Sequence, residues 1–198
     1  MGLGSKHGGG NVNRFIVIEG LDATGKSTLV EKLANELNAN QLQCPPMSCT
    51  EMRVHFDRCG PLQRRAFYRF SNLVASEKAQ ESLQFSDVVM DRYWTSTAAF
   101  TAMDDGFEHD VPLGEYPPEI SAPDILILLT VDEDNRLLRM SGRGQPETAE
   151  EAKLAQDLQK RQQVLDNYLA FNPHIIDTSN LNPDQVLEAA LDIIRRNS

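Results

Sequence analysis

Gly20-Leu21-Asp22-Ala23-Thr24-Gly25-Lys26-Ser27-Thr28 sets two glycines around four residues, directly ahead of a lysine and two hydroxyls. This spacing suits the handling of phosphate. Glycines let the backbone turn so that successive N–H groups face one anion. A helix that starts at the loop adds the positive end of its dipole. Lys26 can then reach the outer phosphates of a nucleotide, and the Ser27 hydroxyl can hold Mg²⁺. Gly20, Ala23, Thr24, Gly25, Lys26, Ser27 and Thr28 are therefore the candidate nucleotide-binding residues, with ATP and Mg²⁺ as cofactors.

The elements that must position this loop are legible around it. Phe15-Ile16-Val17-Ile18 is a buried strand running into Gly20, and Leu29, Leu33 and Leu37 mark one face of a helix from Ser27 to about Asn38. Further strands are expected at 41–47, 87–91, 125–131 and 174–177. Helices are expected at 50–59, 62–83, 94–103, 132–140 and 148–170. The last of these opens with the Thr148/Glu151 capping pattern. Asn182-Pro183 opens a C-terminal helix. Strand–helix alternation after a phosphate loop predicts an α/β, P-loop NTPase three-layer fold. It has a five-stranded parallel sheet, helices on both faces, and the ligand at the carboxyl ends of the strands. Residues 1–13 read as a flexible segment, and 14–198 as one domain. Gly142-Arg143-Gly144 lies in a short lid at about 141–148.

The chain has 198 residues and a net charge of −10, which argues against nucleic acid or an anionic membrane as partner. An acidic protein that binds polyanionic nucleotides must concentrate its arginines locally. Three cysteines, Cys44, Cys49 and Cys59, have no C-x-x-C spacing, so a reducing intracellular compartment is expected, cytoplasmic or mitochondrial. The four histidines form no ligand spacing. The 104–124 segment is acidic, and as a lid, an oligomer contact or an inert insert it stays open. Glu108 and Glu115 within it are not expected to be catalytic.

Glu19-Gly20-Leu21-Asp22-Ala23-Thr24-Gly25-Lys26-Ser27-Thr28, followed by Asp91-Arg92-Tyr93 closing a buried strand, resembles the thymidylate kinase family of nucleoside monophosphate kinases. Arg64-Arg65-Ala66-Phe67-Tyr68, Ala75-Ser76-Glu77, Asp91-Arg92-Tyr93-Trp94-Thr95-Ser96-Thr97-Ala98 and Gly142-Arg143-Gly144 look most like its UMP–CMP kinase 2 branch. The resemblance implies ATP-dependent phosphorylation of a pyrimidine nucleoside monophosphate: UMP, CMP, their deoxy forms or dTMP. It also leans to a homodimer. On it, Asp91 positions Mg²⁺ with Ser27, and Arg92 grips the acceptor phosphate, with Arg53 a second candidate. Arg143 closes over ATP, Arg139 shares its task, and Asp22 receives the sugar 3′-hydroxyl. Phe100 packs on the sugar. Tyr68 and Asn72, one turn apart, offer a stacking ring and a base-reading amide. Glu77 is the alternative reader in another register. Tyr93 is either core or substrate-facing. Backbone near Thr178–Leu181 meets the adenine.

Two rival functions stay open. A deoxynucleoside kinase phosphorylates a hydroxyl and needs a base; its usual Glu-Arg-Ser strand end is Asp91-Arg92-Tyr93 here. A nucleotide-sensing P-loop protein would not need Lys26, Ser27, Asp91 and a lid arginine together. The lid reading carries its own test. Arg143→Ala is expected to lower turnover by ~10³–10⁵-fold, the range of arginine fingers. Steady-state ADP release and a thermal melt check that activity falls while stability does not.

Overall fold

The computed structural model describes residues 13–103, 110–141 and 157–197. Within them the order is β1 (Phe15–Gly20), α1 (Lys26–Leu37), β2 (Asn40–Gln43), α2 (Thr50–Phe56), α3 (Pro61–Ser82), β3 (Val88–Asp91) and α4 (Trp94–Thr101). Then come β4 (Ile125–Thr130), α5 (Glu133–Ser141), α6 (Leu158–Leu169), β5 (His174–Asp177) and α7 (Pro183–Arg196). The strands form one five-stranded parallel sheet in the order β2-β3-β1-β4-β5. The expected fold class is the observed one.

β1 is buried at every residue, which is why it reads as an unbroken apolar run rather than an alternating one. Its pleat still sorts side chains between two layers. Ile16 and Ile18 face α1 and α7, packing with Leu29, Val30 and Leu33 and with Val186, Ala190 and Ile194. Phe15 and Val17 face the opposite layer, with Ala75 and Ala79 of α3 and Tyr93 and Trp94 at the start of α4.

Register decides what meets at the edge of the sheet. Ile18 pairs with Asp91, and Gly20 pairs with Leu129. The loops after β1, β3 and β5 therefore open at the same edge, with the β1 and β3 loops side by side.

Helix ends follow local chemistry. Pro61 fills the first turn of α3. Asn182 caps α7 by accepting from Asp184 N–H and Gln185 N–H, while Gln185 returns a bond to Asn182 N–H. α6 departs from the expected helix over 148–170: Asp157 is non-helical and accepts from Lys160 N–H, so it starts a helix at Leu158. Thr148 and Glu151 lie outside the described residues.

The acidic connection has a visible partner over its described part. Arg69 of α3 pairs with Asp110 at 2.9 Å and with Glu119, and its guanidinium lies over the Trp94 ring. Trp94 Nε1–H donates to the Glu115 carbonyl. This strand of chain is strapped across α3 and α4; Glu108 lies outside the described residues.

The α1 layer depends on Leu33, which is fully buried between β1 and α7. Leu33→Ala is expected to cost about 2–5 kcal/mol through lost burial and the cavity left behind. Urea unfolding followed by circular dichroism checks it.

Candidate active site

The β1–α1 loop owes its shape to three left-handed residues: Gly20 at φ 147°, Ala23 at φ 65° and Gly25 at φ 96°. At Gly20 the space is as restrictive as the angle, since a Cβ there would lie 2.5 Å from the Leu129 carbonyl oxygen and 2.9 Å from Thr24 Oγ1. Gly25 is the α1 N-cap and brings no side chain of its own, so the first N–H groups of α1 face the loop concavity. Lys26 is buried and donates from Nζ to the Leu21 carbonyl at 2.8 Å. Its ammonium is thus held inside the loop, next to those N–H groups.

Across the β1–β3 seam, Ser27 Oγ–H donates to Asp91 Oδ2 at 3.1 Å. Asp91 Oδ1 is buried without a hydrogen-bond partner. A buried carboxylate oxygen left over beside a serine hydroxyl is a donor set for a hard, oxygen-seeking cation. The fit to Mg²⁺ is therefore good on chemistry. Among the described residues no cluster of three acidic, histidine or cysteine side chains could form a full protein cage. A Mg²⁺ ion held by one carboxylate, a hydroxyl, phosphates and water does not need one.

Beyond this seam lies a pocket lined by Cys44, Pro45, Arg53, Arg64, Arg65, Tyr68, Arg92, Tyr93, Ser96, Thr97, Phe100 and Thr101. Four arginines surround it in a chain of net charge −10. Acidic neighbours lie against Arg92 and Arg53. Arg92 Nη2 lies 3.4 Å from Asp22 Oδ1, and Arg53 Nε lies 3.5 Å from Asp57 Oδ2. Asp57 also accepts from the Tyr68 hydroxyl at 2.8 Å, tying α2 to α3. Such a pocket suits a small anion with a flat, partly apolar body.

A second depression on the other side of the loop is lined by Ala23, Thr24, Gly25, Thr28, Leu29, Arg139, Thr178, Leu181, Pro183 and Val186. The two pockets flank the glycine loop. That arrangement can hold two phosphate-bearing molecules with their charged ends converging on Lys26, Ser27 and Asp91.

The structure brings together most of the sequence-derived residues. The loop, Asp22, Arg53, Tyr68, Asp91, Arg92 and Phe100 all meet at this edge, and Thr178 and Leu181 line the second pocket. Others are placed differently. Asn72 is fully buried behind the first pocket and is occupied there: its Nδ2 donates to the Tyr68 carbonyl and to Thr97 Oγ1, both at 2.7 Å, and its Oδ1 faces Cys44 Sγ. It supports the pocket from behind and does not line it. Glu77 is exposed on α3 and lines neither pocket, because the helix turns its Ala75, Ser76 and Ala79 face inward. Tyr93 is a core residue whose ring stacks edge-on against Phe15 at 5.3 Å, and it also lines the first pocket. Arg139 donates to the Ala23 carbonyl and to Thr178 Oγ1 and carbonyl, at 3.2, 2.9 and 2.6 Å, so it fastens the glycine loop to the β5–α7 turn. Arg136 is buried in an ion pair with Glu133. Arg143 lies outside the described residues.

Sequence reasoning missed Glu19. It is fully buried at the end of β1, and its carboxylate accepts from Tyr93 N–H, Ser96 N–H and Ser96 Oγ–H. Burial pushes its carboxyl up from 4.5 to about 7, against the opposing pull of the Ser96 bonds and the Arg92 charge. The signal was available: it is an acid inside an otherwise apolar buried run. Arg64, Arg65 and Thr97 also line the pocket without having been given a role.

Comparison with known proteins places this geometry. The profile of the thymidylate kinase family matches residues 18–189. The chain is 39% identical over 192 residues to human UMP-CMP kinase 2, mitochondrial, covering 92% of this chain but 42% of that protein, so it spans under half of that relative's length. It is 27% identical over 202 residues to a probable thymidylate kinase of Methanococcus maripaludis, covering 92% of this chain and 96% of the relative. Thymidylate kinase from Candida albicans shares the fold with a TM-score of 0.74 at 21% identity, over 93% of this chain and 92% of that one. Deoxyadenosine kinase from M. mycoides shares it too, with a TM-score of 0.61 at 14% identity, over 92% and 99% of the two chains. The fold alone therefore does not separate a monophosphate acceptor from a nucleoside.

Glu19 makes stability depend on pH. A raised carboxyl means that the folded chain binds the proton more tightly than the unfolded one. Its burial carries no ionisation penalty below pH 4.5, and the penalty grows as pH rises through about 7. Relative to Glu19→Gln, the native chain is expected to lose on the order of 2–3 kcal/mol between pH 5 and pH 8.5. Paired denaturant titrations at the two pH values measure this difference.

Proposed function

We propose, because this chain belongs to the thymidylate kinase family of nucleoside monophosphate kinases, that it moves the γ-phosphoryl group of ATP onto a pyrimidine nucleoside monophosphate. The acceptors we assign are UMP, CMP and their deoxy forms. The observation that carries this reading is the pocket of four arginines lying across the Ser27–Asp91 seam from the glycine loop. The name of the human relative supports the same substrate class.

In this reading ATP sits with its base in the depression lined by Thr28, Leu29, Thr178 and Leu181, and with its phosphates in the glycine loop. Gly20, Ala23, Thr24 and Gly25 shape the turn, and Lys26 and the first N–H groups of α1 take the phosphate charge. Ser27 and Asp91 would hold Mg²⁺, which would supply neutralisation of phosphate charge. The monophosphate enters the arginine-lined pocket. Arg92 grips its phosphate with Arg53 beside it, Phe100 and Tyr68 contact the sugar and base, and Asp22 accepts the 3′-hydroxyl. The phosphate second pKa is ~6, so near neutral pH the attacking oxygen is already deprotonated and no general base is required. Catalysis is then alignment of two anions and neutralisation of their charge, which is what phosphoryl transfer needs from a protein.

The experiment is ADP release from ATP and Mg²⁺ with UMP, CMP, dUMP, dCMP, dTMP, AMP, GMP and free nucleosides, each tested separately. Stimulation by orders of magnitude with a pyrimidine monophosphate is expected. Preference for dTMP would revise the base assignment, and stimulation by free nucleosides alone would overturn the reading. In the same assay Asp91→Asn is expected to lower kcat by roughly 10²-fold or more and to raise the Mg²⁺ concentration needed for half-maximal rate.

A further inference from the structure

Arg92 is a non-glycine residue at φ 62°, a conformation that costs energy unless neighbouring contacts enforce it. Two contacts flank it. Arg92 N–H donates to the Ile18 carbonyl at 3.0 Å, and Tyr93 N–H donates to Glu19 Oε1 at 2.9 Å. Both acceptors belong to consecutive residues of β1, so the strand that leads into the glycine loop also sets the backbone of Arg92.

The same carboxylate starts α4. Tyr93 is the N-cap, and its own side chain makes no capping bond. Glu19 Oε1 accepts from Tyr93 N–H and from Ser96 N–H at 3.0 Å, which are the N-cap and N3 groups. A residue of a different element thus caps the helix, and its negative charge also suits that helix end.

The other carboxylate oxygen has a separate task. Ser96 Oγ lies 2.5 Å from Glu19 Oε2, 2.8 Å from the Tyr168 hydroxyl and 3.4 Å from Arg92 Nη1. A serine hydroxyl has one proton and two lone pairs. An ionised carboxylate only accepts, so the Ser96 proton points at Glu19. Both lone pairs are then left for donors: the Tyr168 hydroxyl and the Arg92 guanidinium. Arg92 Nη2 meanwhile reaches Asp22 Oδ1.

We propose that Glu19 is a positioning residue for Arg92: it fixes the Arg92 backbone through the α4 cap and polarises Ser96 so that this hydroxyl accepts from the guanidinium. The proposal rests on the reading of Arg92 as the grip on the acceptor phosphate.

Glutamine at position 19 separates the cap from the relay. Its carbonyl oxygen keeps the two backbone N–H groups. Its amide then donates to Ser96 Oγ, the serine proton turns away, and Arg92 loses that acceptor. Ser96→Ala removes the relay oxygen and leaves both backbone capping bonds in place.

The test is steady-state kinetics on Glu19→Gln, Ser96→Ala, their combination and Arg92→Ala. The KM for the active pyrimidine monophosphate and the KM for ATP are measured separately, with a thermal melt for each variant. Loss of a hydrogen bond to a charged group predicts about a tenfold or greater rise in acceptor KM for each single variant. ATP KM is expected to stay within about twofold. Because both single changes break one relay, the double variant should be little worse than the worse single. Proportional loss of affinity for both substrates, additive effects, or an unchanged acceptor KM in folded Glu19→Gln and Ser96→Ala would each overturn the proposal. If Arg92→Ala raises acceptor KM while those two do not, only the Glu19 role fails. If Arg92→Ala also leaves it unchanged, the reading of Arg92 fails and the proposal goes with it.

Discussion

The pairing of Ile18 with Asp91 is the constraint on which the site depends. Parallel strands end at one edge, and this register makes β1 and β3 end at the same height. Gly20 and the loop beyond it then open beside Asp91 and Arg92. A one-residue slip would turn Asp91 to the opposite face of the sheet and separate it from Ser27. The β4 side is equally tight, since the Leu129 carbonyl leaves no space for a Cβ at Gly20. The glycine loop is therefore fixed from both flanks by backbone, before any of its side chains contributes.

Charge follows from the same placement. The protein is acidic overall, yet the pocket beside the Ser27–Asp91 seam is lined by four arginines. Isolated, they would repel one another. Asp57 beside Arg53 and Asp22 beside Arg92 reduce that repulsion. These two ion pairs are long, at 3.4 and 3.5 Å. Each engages one nitrogen of a guanidinium that carries five N–H groups. On the other side of the glycine loop the treatment differs: Arg139 spends its guanidinium on three protein acceptors and works as a fastener between loops.

The sheet and the glycine loop were legible in the sequence because their signals are local. A continuous apolar run states a doubly buried strand, and glycine–lysine–serine spacing states a turn and a helix start. Ends of elements set by tertiary contact were less so. Asp157 starts a helix where the Thr148 capping pattern suggested an unbroken one. The inward face of α3 could not be fixed from its composition, since Ser71, Asn72 and Ser76 are buried while Phe70 is exposed. A helix with a polar buried stripe gives a weak amphipathic signal, and a rotation of one residue interchanges lining and supporting positions. Glu77 falls on the exposed side of α3 for that reason. Glu19 stands out as an acid in an apolar run, but its role needs its partners, Tyr93 and Ser96, which arrive from beyond the end of β3.

Asn72 shows how a residue of the right type can act one step removed. Its amide orientation is fixed by chemistry: the Tyr68 carbonyl only accepts, so the atom 2.7 Å from it must be the nitrogen. The same nitrogen donates its second proton to Thr97 Oγ1. Thr97 is thereby the acceptor in that bond, and its own proton is directed away from Asn72. Thr97 lines the pocket that Asn72 does not reach. A buried asparagine thus sets the polarity of a pocket-lining neighbour, and neither its type nor its spacing in the sequence carries that information.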